Sequence, residues 1–452
     1  MDINKPLGNG SKIAVIGGGP AGSFFTILTK KMAREQNKDI KISIFDKKDF
    51  FEPGPTGCNM CAGVLQDNLI RQLEEVGIDV DSISEEYIHG YALCIKDICT
   101  ALKVNEGVKI CSIFRGGGPA NFMISSGRRS FDRLLLSHAE KLGAHYIPER
   151  VKSVELSKER VRVNYGNKGG YYDADLLVGA FGVNTGVVKN IFPGYSPPKT
   201  WHVCQTELPL GRDWIMNKFF NMIHVFFLKP RGIKLLAATP KGDCLTITGL
   251  GKDVAFGDLK KALLASEISK YIPEKLDIAC HCHPKIPVTP PKKPYSDRVV
   301  IIGDAGYSRY LKNGIESAFI TAKYAAETII NIGISEKILK ENYDRRCRQR
   351  FLYDNLYGKF ILYLHDFIMT NNILSSTYLT LVNREQNSLY SKKRLSEILL
   401  HIYTGDIPYR SIFFKSLDPI LQFQLTLQTL RILVGDINKI FKFRTSNEQR
   451  LN

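Results

Sequence analysis

Residues 12–25 read KIAVIGGGPAGSFF, and this stretch decides the fold. It begins with a short apolar run, typical of a strand that is buried on both faces in a parallel sheet. Gly17, Gly19 and Gly22 then follow in the spacing G-x-G-x-x-G. In that pattern the first glycine makes a tight turn, the second lets the backbone approach a pyrophosphate, and the third packs a helix on the strand. We therefore predict a nucleotide site at this turn.

The residues after the turn complete a βαβ unit. Pro20 and Ala21 begin a predicted helix, whose unpaired N–H groups and positive dipole end favour a phosphate. Residues 41–45 (KISIF) form a second buried strand, and Asp46 follows it. At this position an acidic side chain accepts a hydrogen bond from the adenosine ribose. The predicted nucleotide-binding residues are Gly17, Gly19, Pro20, Ala21, Gly22 and Asp46.

A second glycine-rich loop, residues 115–124 (RGGGPANFMI), repeats the letters GGGPA. Asn121 replaces the third glycine, Arg115 stands where a buried strand would end, and no apolar helical stripe follows directly. The pattern favours a tight loop on the substrate side over a second phosphate cradle. We expect one nucleotide site, with no second one for NAD(P)H.

The chain carries an excess of positive charge. Of its 452 residues, 62 are Lys or Arg and 45 are Asp or Glu, which gives a net charge of +17. Such an excess favours acidic partners, which include anionic lipid, phosphorylated small molecules and nucleic acid. The sequence has no recognisable nucleic-acid-binding motif, and we predict no nucleic-acid partner.

Two features bear on the location of the protein. The polar residues 1–10 run straight into a strand and leave no room for the apolar part of a secretory signal. No window holds the roughly 18 consecutive apolar residues that a spanning helix needs. These features predict a cytoplasmic protein. The ten cysteines then favour thiols, a redox function or metal ligation over a disulfide framework.

Three separated blocks together resemble the FAD-dependent oxidoreductases built like p-hydroxybenzoate hydroxylase. They are GGGPAG at residues 17–22, GRRSFDRLL at 127–135 and VIIGDAGYSRYLKNGI at 300–315. The resemblance implies an α/β protein with a Rossmann-like FAD-binding domain of the p-hydroxybenzoate hydroxylase type and an antiparallel-sheet substrate domain. A helical C-terminal region completes the predicted architecture.

The resemblance also implies cofactor roles for residues far from the first motif. Gly303 and Asp304 would hold the flavin ribityl chain and pyrophosphate. A helix that begins at Gly314 and Ile315 would point its N-terminus at the flavin pyrimidine ring, where reduced flavin carries negative charge. Arg128 would help to neutralise phosphate, or would be a solvated arginine at the start of a helix.

Residues 55–65 (PTGCNMCAGVL) are similar to the C-G-G-x-L region of geranylgeranyl reductases, with Cys61 in the place of the motif cysteine. This likeness implies hydride transfer from reduced flavin to a C=C bond of an apolar, isoprenoid-like or lipid substrate. Cys61 is the candidate proton donor, since an ordinary thiol is mostly protonated at neutral pH. Cys58 is the second catalytic candidate, as the partner of Cys61 in a redox-active dithiol. The electron donor would be NADPH or a ferredoxin-type protein.

Two other activities stay open. One is an FAD-dependent monooxygenase that uses NAD(P)H and oxygen, and the other is an electron-transfer or redox-sensing protein with a flavin and a cysteine cluster. C-x-x-C and C-x-C are ligand spacings for zinc or an iron–sulfur centre. The candidate ligands are Cys58, Cys61, Cys280 and Cys282. Buried or free thiols are the commoner fate of such cysteines, and we assign no metal site.

We divide the chain into two parts. Residues 1–335 would form a discontinuous FAD-binding domain (about 1–85, 125–190 and 285–335) with an interleaved substrate domain (about 86–124 and 191–284). Residues 336–452 would form a basic helical region, in which residues 340–452 hold 17 Lys or Arg against 10 Asp or Glu. Its helices would touch an anionic membrane as a peripheral contact, or their apolar stripes would simply pack on the rest of the chain.

Overall fold

Five β-sheets and fifteen α-helices build the part of the chain that the computed structural model describes. The described residues are 2–58, 60–96, 98–125, 127, 129–184, 192–228, 232–388 and 392–448. In chain order the strands are β1 (Lys12–Ile16), β2 (Lys41–Phe45), β3 (Val64–Gln66), β4 (Glu86–Tyr87), β5 (Gly90–Ile95), β6 (Ile98–Lys103), β7 (Ile110–Ser112), β8 (His145–Ile147), β9 (Val151–Leu156), β10 (Val161–Tyr165), β11 (Gly170–Ala174), β12 (Leu176–Gly179), β13 (Thr200–His202), β14 (Cys204–Pro209), β15 (Met222–Phe226), β16 (Leu235–Lys241), β17 (Cys244–Leu250), β18 (Cys280–Cys282), β19 (Lys285–Pro287), β20 (Tyr295–Ser296) and β21 (Val299–Ile301). The helices are α1 (Pro20–Glu35), α2 (Gly54–Gly57), α3 (Asp67–Glu75), α4 (Phe131–Lys141), α5 (Arg212–Phe219), α6 (Phe256–Leu263), α7 (Ser266–Ser269), α8 (Gly314–Asn331), α9 (Glu336–Ile338), α10 (Arg345–Cys347), α11 (Tyr353–Thr370), α12 (Asn372–Asn387), α13 (Arg394–Thr404), α14 (Tyr409–Ser416) and α15 (Pro419–Glu448).

The predicted nucleotide-binding turn lies in a six-stranded sheet. Its strand order is β20-β21-β12-β1-β2-β8, and all neighbours are parallel except β20 and β21. Strand β1 lies between β2 and β12, which explains its continuous apolar run. Ile13 and Val15 pack with helices α1, α4 and α8, while Ala14 and Ile16 pack with strands β9 and β10. The β1–α1–β2 unit is therefore buried on both faces, as the sequence predicts.

A seven-stranded sheet forms the second layer. Its order is β18-β14-β17-β16-β15-β5-β6, and only β15 and β5 are parallel neighbours. Successive side chains of a strand point to opposite faces. In β5, Tyr91 and Leu93 pack with the C-terminal helices α11–α14, whereas Ala92 and Cys94 pack with α5–α7. Both faces of this sheet are thus covered by helices.

The C-terminal region is helical, as predicted. Helices α9, α10 and α11 follow each other and are joined by π-helical turns at Leu339–Asp344 and Arg348–Leu352. The buried carboxylate of Asp354 on α11 accepts hydrogen bonds from the N–H groups of Tyr409 (3.0 Å) and Arg410 (2.9 Å) and so fixes the start of α14. Among the described residues, no helix is long and apolar enough to cross a membrane. The limits of the domains stay a prediction.

Candidate functional site

Glycines shape the turn after β1. Gly17 has a φ of +111°, and a Cβ there would lie 2.4 Å from the carbonyl oxygen of Ala180. A Cβ on Gly22 would lie 1.9 Å from the carbonyl oxygen of Gly17. Only glycine fits these two positions. In the described part of the chain no side chain caps α1, which begins at Pro20, so its first N–H groups are available to an anion.

Asp46 fixes the conformation of the same turn. Its Oδ2 accepts a hydrogen bond from the N–H of Gly18 (2.9 Å), and its Oδ1 accepts one from the N–H of Lys48 (2.9 Å). Burial raises the pKa of the Asp46 carboxyl, and these two hydrogen bonds act in the opposite direction. Each oxygen keeps a further lone pair. The ribose contact of Asp46 stays a prediction.

Asp304 approaches the turn from the end of β21. The chain bends at Gly303, which has a φ of +65° and where a Cβ would lie 2.7 Å from the Cβ of Ala21. The Oδ1 atom of Asp304 is buried and has no hydrogen-bond partner among the described residues. Burial raises the pKa of this carboxyl, while a hydrogen bond from Ser308 and the charge of Arg115 lower it. A buried acceptor of this kind costs free energy unless a ligand supplies the donor.

The N-terminus of α8 lies beside this carboxylate. A Cβ on Gly314 would lie 3.5 Å from Oδ1 of Asp304, and both Gly314 and Ile315 line the same cavity. Asn313 precedes the helix with a φ of +49°, and its Nδ2 donates a hydrogen bond to the carbonyl oxygen of Gly405 (3.0 Å). The C-terminal region therefore helps to set where α8 begins.

Arg115, from the second glycine-rich loop, also lines the cavity. Its guanidinium donates two hydrogen bonds to the carboxylate of Asp132, one of them 2.8 Å long between Nη2 and Oδ2. The Asp132 side chain is fully buried, and that of Arg115 is 11% exposed. From the sequence we predict only a loop on the substrate side here, because Asp132, the partner of Arg115, belongs to a different motif. The available signal for this ion pair was a single arginine that directly precedes a run of glycines. Arg128, the predicted phosphate ligand, lies outside the described residues.

The glycines of this second loop allow close packing of two chain segments. A Cβ on Gly116 would lie 2.6 Å from the backbone nitrogen of Cys58, and one on Gly117 would lie 1.9 Å from the carbonyl oxygen of Phe51. The N–H of Gly54 donates a hydrogen bond to the carbonyl oxygen of Gly118 (2.8 Å). The loop is thus tight, and its glycines are accounted for by contacts within the protein.

One cavity of about 980 Å³ connects the groups described above. Its volume is at the upper end of the range of about 300–1,000 Å³ that is typical of ligand sites. The polar end is lined by Gly17, Gly19, Pro20, Ala21, Asp46, Arg115, Asp304, Gly314 and Ile315. The apolar end lies between the seven-stranded sheet and the C-terminal helices and is lined by Tyr91, Ile223, Val225, Leu235, Ala237, Leu362, Ile402 and Tyr403.

Lys312 and His365 bring polar groups to the apolar end. Nε2 of His365 lies 2.9 Å from the hydroxyl of Tyr403, and Nζ of Lys312 donates a hydrogen bond to the Tyr403 carbonyl oxygen (3.2 Å). Burial lowers the pKa of Lys312 to about 8, and the charge of Arg309 acts in the same direction. Burial, with the charge of Lys312, lowers the pKa of His365 to about 3, so this imidazole is neutral at pH 7. Lys312 belongs to the block at residues 300–315, but no role is predicted for it from the sequence, and no motif contains His365.

The two candidate cysteines lie in different places. Cys61 lines the large cavity, and its Sγ accepts a hydrogen bond from the N–H of Gly63 (3.4 Å). Cys58 instead lines a small cavity of about 20 Å³ together with Cys280, Cys282 and Glu207. The two cysteine motifs of the sequence therefore lie close together in space, but only Cys61 faces the large cavity.

The thiols around the small cavity are poorly suited to redox chemistry. Burial raises the pKa of Cys58 and of Cys282, and it raises that of Cys280 to about 11. These three thiols are therefore protonated at neutral pH, whereas a reactive dithiol needs a thiolate. Within the described ranges, no three His, Cys, Asp or Glu side chains are arranged to hold a metal ion.

Cys94 and Cys99 form a disulfide between β5 and β6. The antiparallel register places the two residues directly opposite each other, with their Cα atoms 4.1 Å apart. The other eight cysteines are thiols. The spacing of the cysteines gave no sign of this disulfide, because the register of a hairpin depends on its turn and on its neighbours.

Several solved structures share this fold, although no family model and no curated protein matches the sequence. A geranylgeranyl bacteriochlorophyll reductase-like protein from Thermoplasma acidophilum is 16% identical over 92% of this chain and 99% of its own, with a TM-score of 0.60. The p-nitrophenol 4-monooxygenase of Pseudomonas putida is 13% identical over 88% of this chain and 98% of its own, with a TM-score of 0.62. The halogenase PltM, solved with phloroglucinol and FAD, is 13% identical over 89% of this chain and 85% of its own, with a TM-score of 0.61.

These likenesses confirm the predicted fold class. The chain has the p-hydroxybenzoate hydroxylase type of α/β fold, with an antiparallel-rich second sheet and a helical C-terminal region. Because the identities are low, the comparison bears on the fold, and the chemistry has to be argued from the side chains of this chain.

Proposed function

We propose that this protein is an FAD-dependent oxidoreductase that reduces a C=C bond of an apolar, isoprenoid-like substrate. The observation that carries the proposal is the cavity that joins the glycine-rich turn and Asp304 to an apolar chamber under the C-terminal helices. A cofactor with a charged tail and a flat ring system suits the first end, and an elongated apolar molecule suits the second.

The polar end fits FAD in its side-chain chemistry. The turn at Gly17 and Gly22 and the free start of α1 suit a pyrophosphate. The unpartnered Oδ1 of Asp304 suits a hydroxyl donor such as those of a ribityl chain. Arg115 adds a positive charge at the same end, and the halogenase of this fold that was solved with FAD is consistent with such a site.

When bound and reduced, FAD supplies a hydride to an acceptor carbon. The N-terminus of α8, at Gly314 and Ile315, would stabilise the negative charge of a reduced flavin ring through its positive dipole end. The electron donor that fits this scheme is NADPH or a ferredoxin-type protein. The second glycine-rich loop offers no second phosphate cradle, which is consistent with a donor that is bound only transiently.

The apolar end would bind the substrate and complete the reduction with a proton. Its aliphatic and aromatic lining would keep water away from the reacting carbons. Cys61 and Lys312 both line the cavity and carry a transferable proton. Because the pKa of Lys312 is about 8, most of this side chain is protonated at pH 7. Cys61 remains the first candidate donor, and Lys312 is the second.

A flavin monooxygenase that uses NAD(P)H and oxygen is the second candidate function. The observation in its favour is that p-nitrophenol 4-monooxygenase shares this fold over 98% of its own length. The aliphatic side chains of Ile223, Val225 and Leu235 in the chamber favour the reductase, because they suit an elongated apolar chain. A redox-sensing role is less favoured, because burial keeps the thiols around Cys58 protonated.

The visible spectrum of the purified protein, before and after reduction with dithionite, tests the cofactor. We expect flavin absorbance that bleaches on reduction, and release of FAD on denaturation. A chain that neither carries FAD nor takes it up from solution would contradict the proposal.

The reduced protein is then mixed without oxygen with a polyprenyl alcohol, and the product is examined by mass spectrometry. We expect a gain of two hydrogens for each reduced double bond. Rapid NADPH-driven oxygen consumption with a hydroxylated aromatic product would instead establish the monooxygenase. Repeating the reduction with NADPH and with a ferredoxin identifies the donor.

A further inference from the structure

Exposed apolar side chains are concentrated in the segments that hold the C-terminal helices α11, α14 and α15. Of the 25 exposed large hydrophobic side chains of the described residues, 13 lie between Tyr353 and Val434. We call this set the apolar outer face; it consists of Tyr353, Leu356, Phe360, Tyr363, Leu364, Phe367, Phe414, Leu417, Ile420, Phe423, Leu427, Leu430 and Val434. Monomeric soluble proteins rarely expose so many neighbouring apolar side chains unless the patch binds a partner or a membrane.

The apolar outer face follows the spacing of a helix. On α11 its members recur every three or four residues from Tyr353 to Phe367, and on α15 the same spacing runs from Ile420 to Val434. Residues at this spacing lie on one side of a helix. Each helix therefore presents one apolar stripe to the outside.

Aromatic contacts join α11 to α14 within this surface. The ring of Phe360 lies 5.9 Å from that of Phe413, and Phe413 lies 5.5 Å from Phe414. Tyr357, one turn before Phe360, lies 5.3 Å from Phe413 and 6.2 Å from Phe414. The exposed rings of Phe360 and Phe414 are thus joined through the partly buried rings of Tyr357 and Phe413.

The charges on this surface have one sign. At the exposed positions of α11, α14 and the described side chains of α15, the only charged residues are Lys359, Arg410, Lys415 and Arg431. Among the described side chains of these helices and of the α14–α15 connection, the carboxylates are less exposed and are held by other groups: Asp354 by backbone N–H groups, Asp366 by Lys234 and Asp418 by Arg394. We propose that the apolar outer face docks the protein on the surface of an anionic lipid bilayer.

The combination of apolar stripes and cations matches such a bilayer in two ways. The apolar side chains enter the boundary between head groups and acyl chains, and the cations pair with the anionic head groups. A symmetric dimer would instead place this face against itself and set Lys and Arg against Lys and Arg, with no exposed carboxylate among its described side chains to receive them. The charge pattern therefore favours a membrane over a second copy of the chain.

Helix α11 stands between the apolar outer face and the cavity. Leu362 and His365 line the cavity, while Tyr363 of the same helix is 70% exposed on the outside. A helix with its side chains is only about 10–12 Å across, so the apolar end of the cavity lies one helix away from the docked surface. A lipid substrate would therefore reach the cavity from the membrane. This last step rests on the proposed function, whereas the docking does not.

Vesicle co-sedimentation of the full chain tests the docking. We use phosphatidylcholine vesicles and vesicles of phosphatidylcholine mixed with phosphatidylserine. We expect binding to the mixed vesicles at low salt, weaker binding to the neutral ones, and a loss of the difference as the salt concentration rises. Binding to neither kind of vesicle, or equal binding to both at low salt, would overturn the proposal.

Two kinds of variant locate the surface. Phe423→Glu and Tyr363→Glu, at positions 67% and 70% exposed, should each weaken binding to the mixed vesicles by at least about tenfold. Leu264→Glu is the matched control, because Leu264 is 72% exposed and follows α6 on the opposite face of the seven-stranded sheet. It should bind like the wild type. Lys359→Gln and Lys415→Gln should each weaken binding to the mixed vesicles about fivefold.

Two results with Phe423→Glu would contradict the docking proposal. Unchanged binding of Phe423→Glu would show that another surface contacts the vesicles. A stable dimer that Phe423→Glu splits into monomers would show that a second copy covers this face. Circular dichroism and thermal unfolding confirm that each variant is folded. The vesicles contain no isoprenoid and no turnover is measured, so a failure here leaves the proposed reductase activity to its own test.

Discussion

Arg115 and Asp132 form a buried ion pair that joins the second glycine-rich loop to helix α4 at the wall of the cavity. The Asp132 side chain is fully buried, and only 11% of the Arg115 side chain is exposed. Two motifs that are separate in the sequence thus form one structural unit. The pair also holds a positive charge close enough to Asp304 to lower the pKa of that carboxyl.

We expect Arg115→Gln to lower the free energy of unfolding by about 3–5 kcal/mol, because it breaks a buried ion pair by removing one of its two members. Arg162→Gln is the matched control: the pair of Arg162 and Asp173 is more exposed, so its loss should change the free energy of unfolding far less. Urea unfolding followed by circular dichroism measures both variants. Similar losses in the two variants would contradict the prediction that the buried pair contributes more than the exposed one.

Asp304→Ala should separate cofactor binding from folding. We expect FAD affinity to fall about 10- to 100-fold, since a hydrogen bond to a charged group is lost. The cofactor-free chain should be as stable as the wild type or more stable, because a buried oxygen without a partner is removed. Flavin fluorescence titration and urea unfolding measure the two effects. Asp277→Ala, at an exposed position, is the control, and unchanged FAD affinity in Asp304→Ala would contradict the predicted contact.

His365 should make the protein less stable as the pH falls. Its pKa is about 3 in the folded chain and about 6.5 in an unfolded one, so the unfolded state binds more protons between these values. The free energy of unfolding should therefore fall by up to about 1.4 kcal/mol per pH unit from this residue as the pH drops below about 6.5. When it is measured by urea unfolding, the free energy of unfolding should depend less steeply on pH in His365→Gln than in the wild type. His145→Gln, at an exposed position, should keep the wild-type slope; equal slopes in all three would refute the prediction.

Substitution of Cys61 should slow turnover, whereas substitution of Cys58 should leave it unchanged. Cys61 lines the cavity, so Cys61→Ser should slow substrate reduction by about 100-fold or more if its proton is used. Cys58 lines only the small cavity, and Cys58→Ser should keep the wild-type rate. Single-turnover oxidation of the reduced flavin by substrate measures both. Full activity of Cys61→Ser would show that Cys61 is not the proton donor.

Lys312 should affect how the rate of flavin oxidation by substrate depends on pH. With a pKa of about 8, its ammonium is a proton donor below that pH and loses the proton above it. The rate should therefore be level below about pH 8 and fall at higher pH, and Lys312→Met should remove this limb. Lys323→Met, on the exposed side of α8, should keep it. If the rate of Lys312→Met still falls above about pH 8, a group other than Lys312 causes this pH dependence.

Local patterns were sufficient for the first half of the fold. Strands β1 and β2 have the bounds that the apolar runs predict, and α8 begins at Gly314 as expected. These predictions succeed because their causes are local: Gly17 needs a positive φ, and a strand buried on both faces needs a continuous apolar run. The resemblance carried jointly by GGGPAG, by GRRSFDRLL at residues 127–135 and by the block that contains Gly303 and Asp304 then indicated which α/β fold to expect.

The site as a whole could not be predicted in the same way. The partner of Arg115, the polar groups at Lys312 and His365 and the meeting of Cys58 with Cys280 all involve residues far apart in the chain. Their contacts depend on how the seven-stranded sheet and the C-terminal helices pack, and no short motif encodes that packing. Burial then sets the pKa values that decide which of these groups can take part in chemistry.

The sequence by itself determined the α/β fold, the glycine-rich turn and the basic character of the C-terminal region. Only the tertiary structure decided which side of each C-terminal helix is covered. Helix α11 buries polar residues such as Asp354 and His365 and exposes apolar ones such as Tyr363, so its periodicity cannot tell a packed side from an exposed one. Packing against the sheet buries Ile361 and His365 and leaves Tyr363 and Phe367 outside, because a helix can place only one side against a given layer.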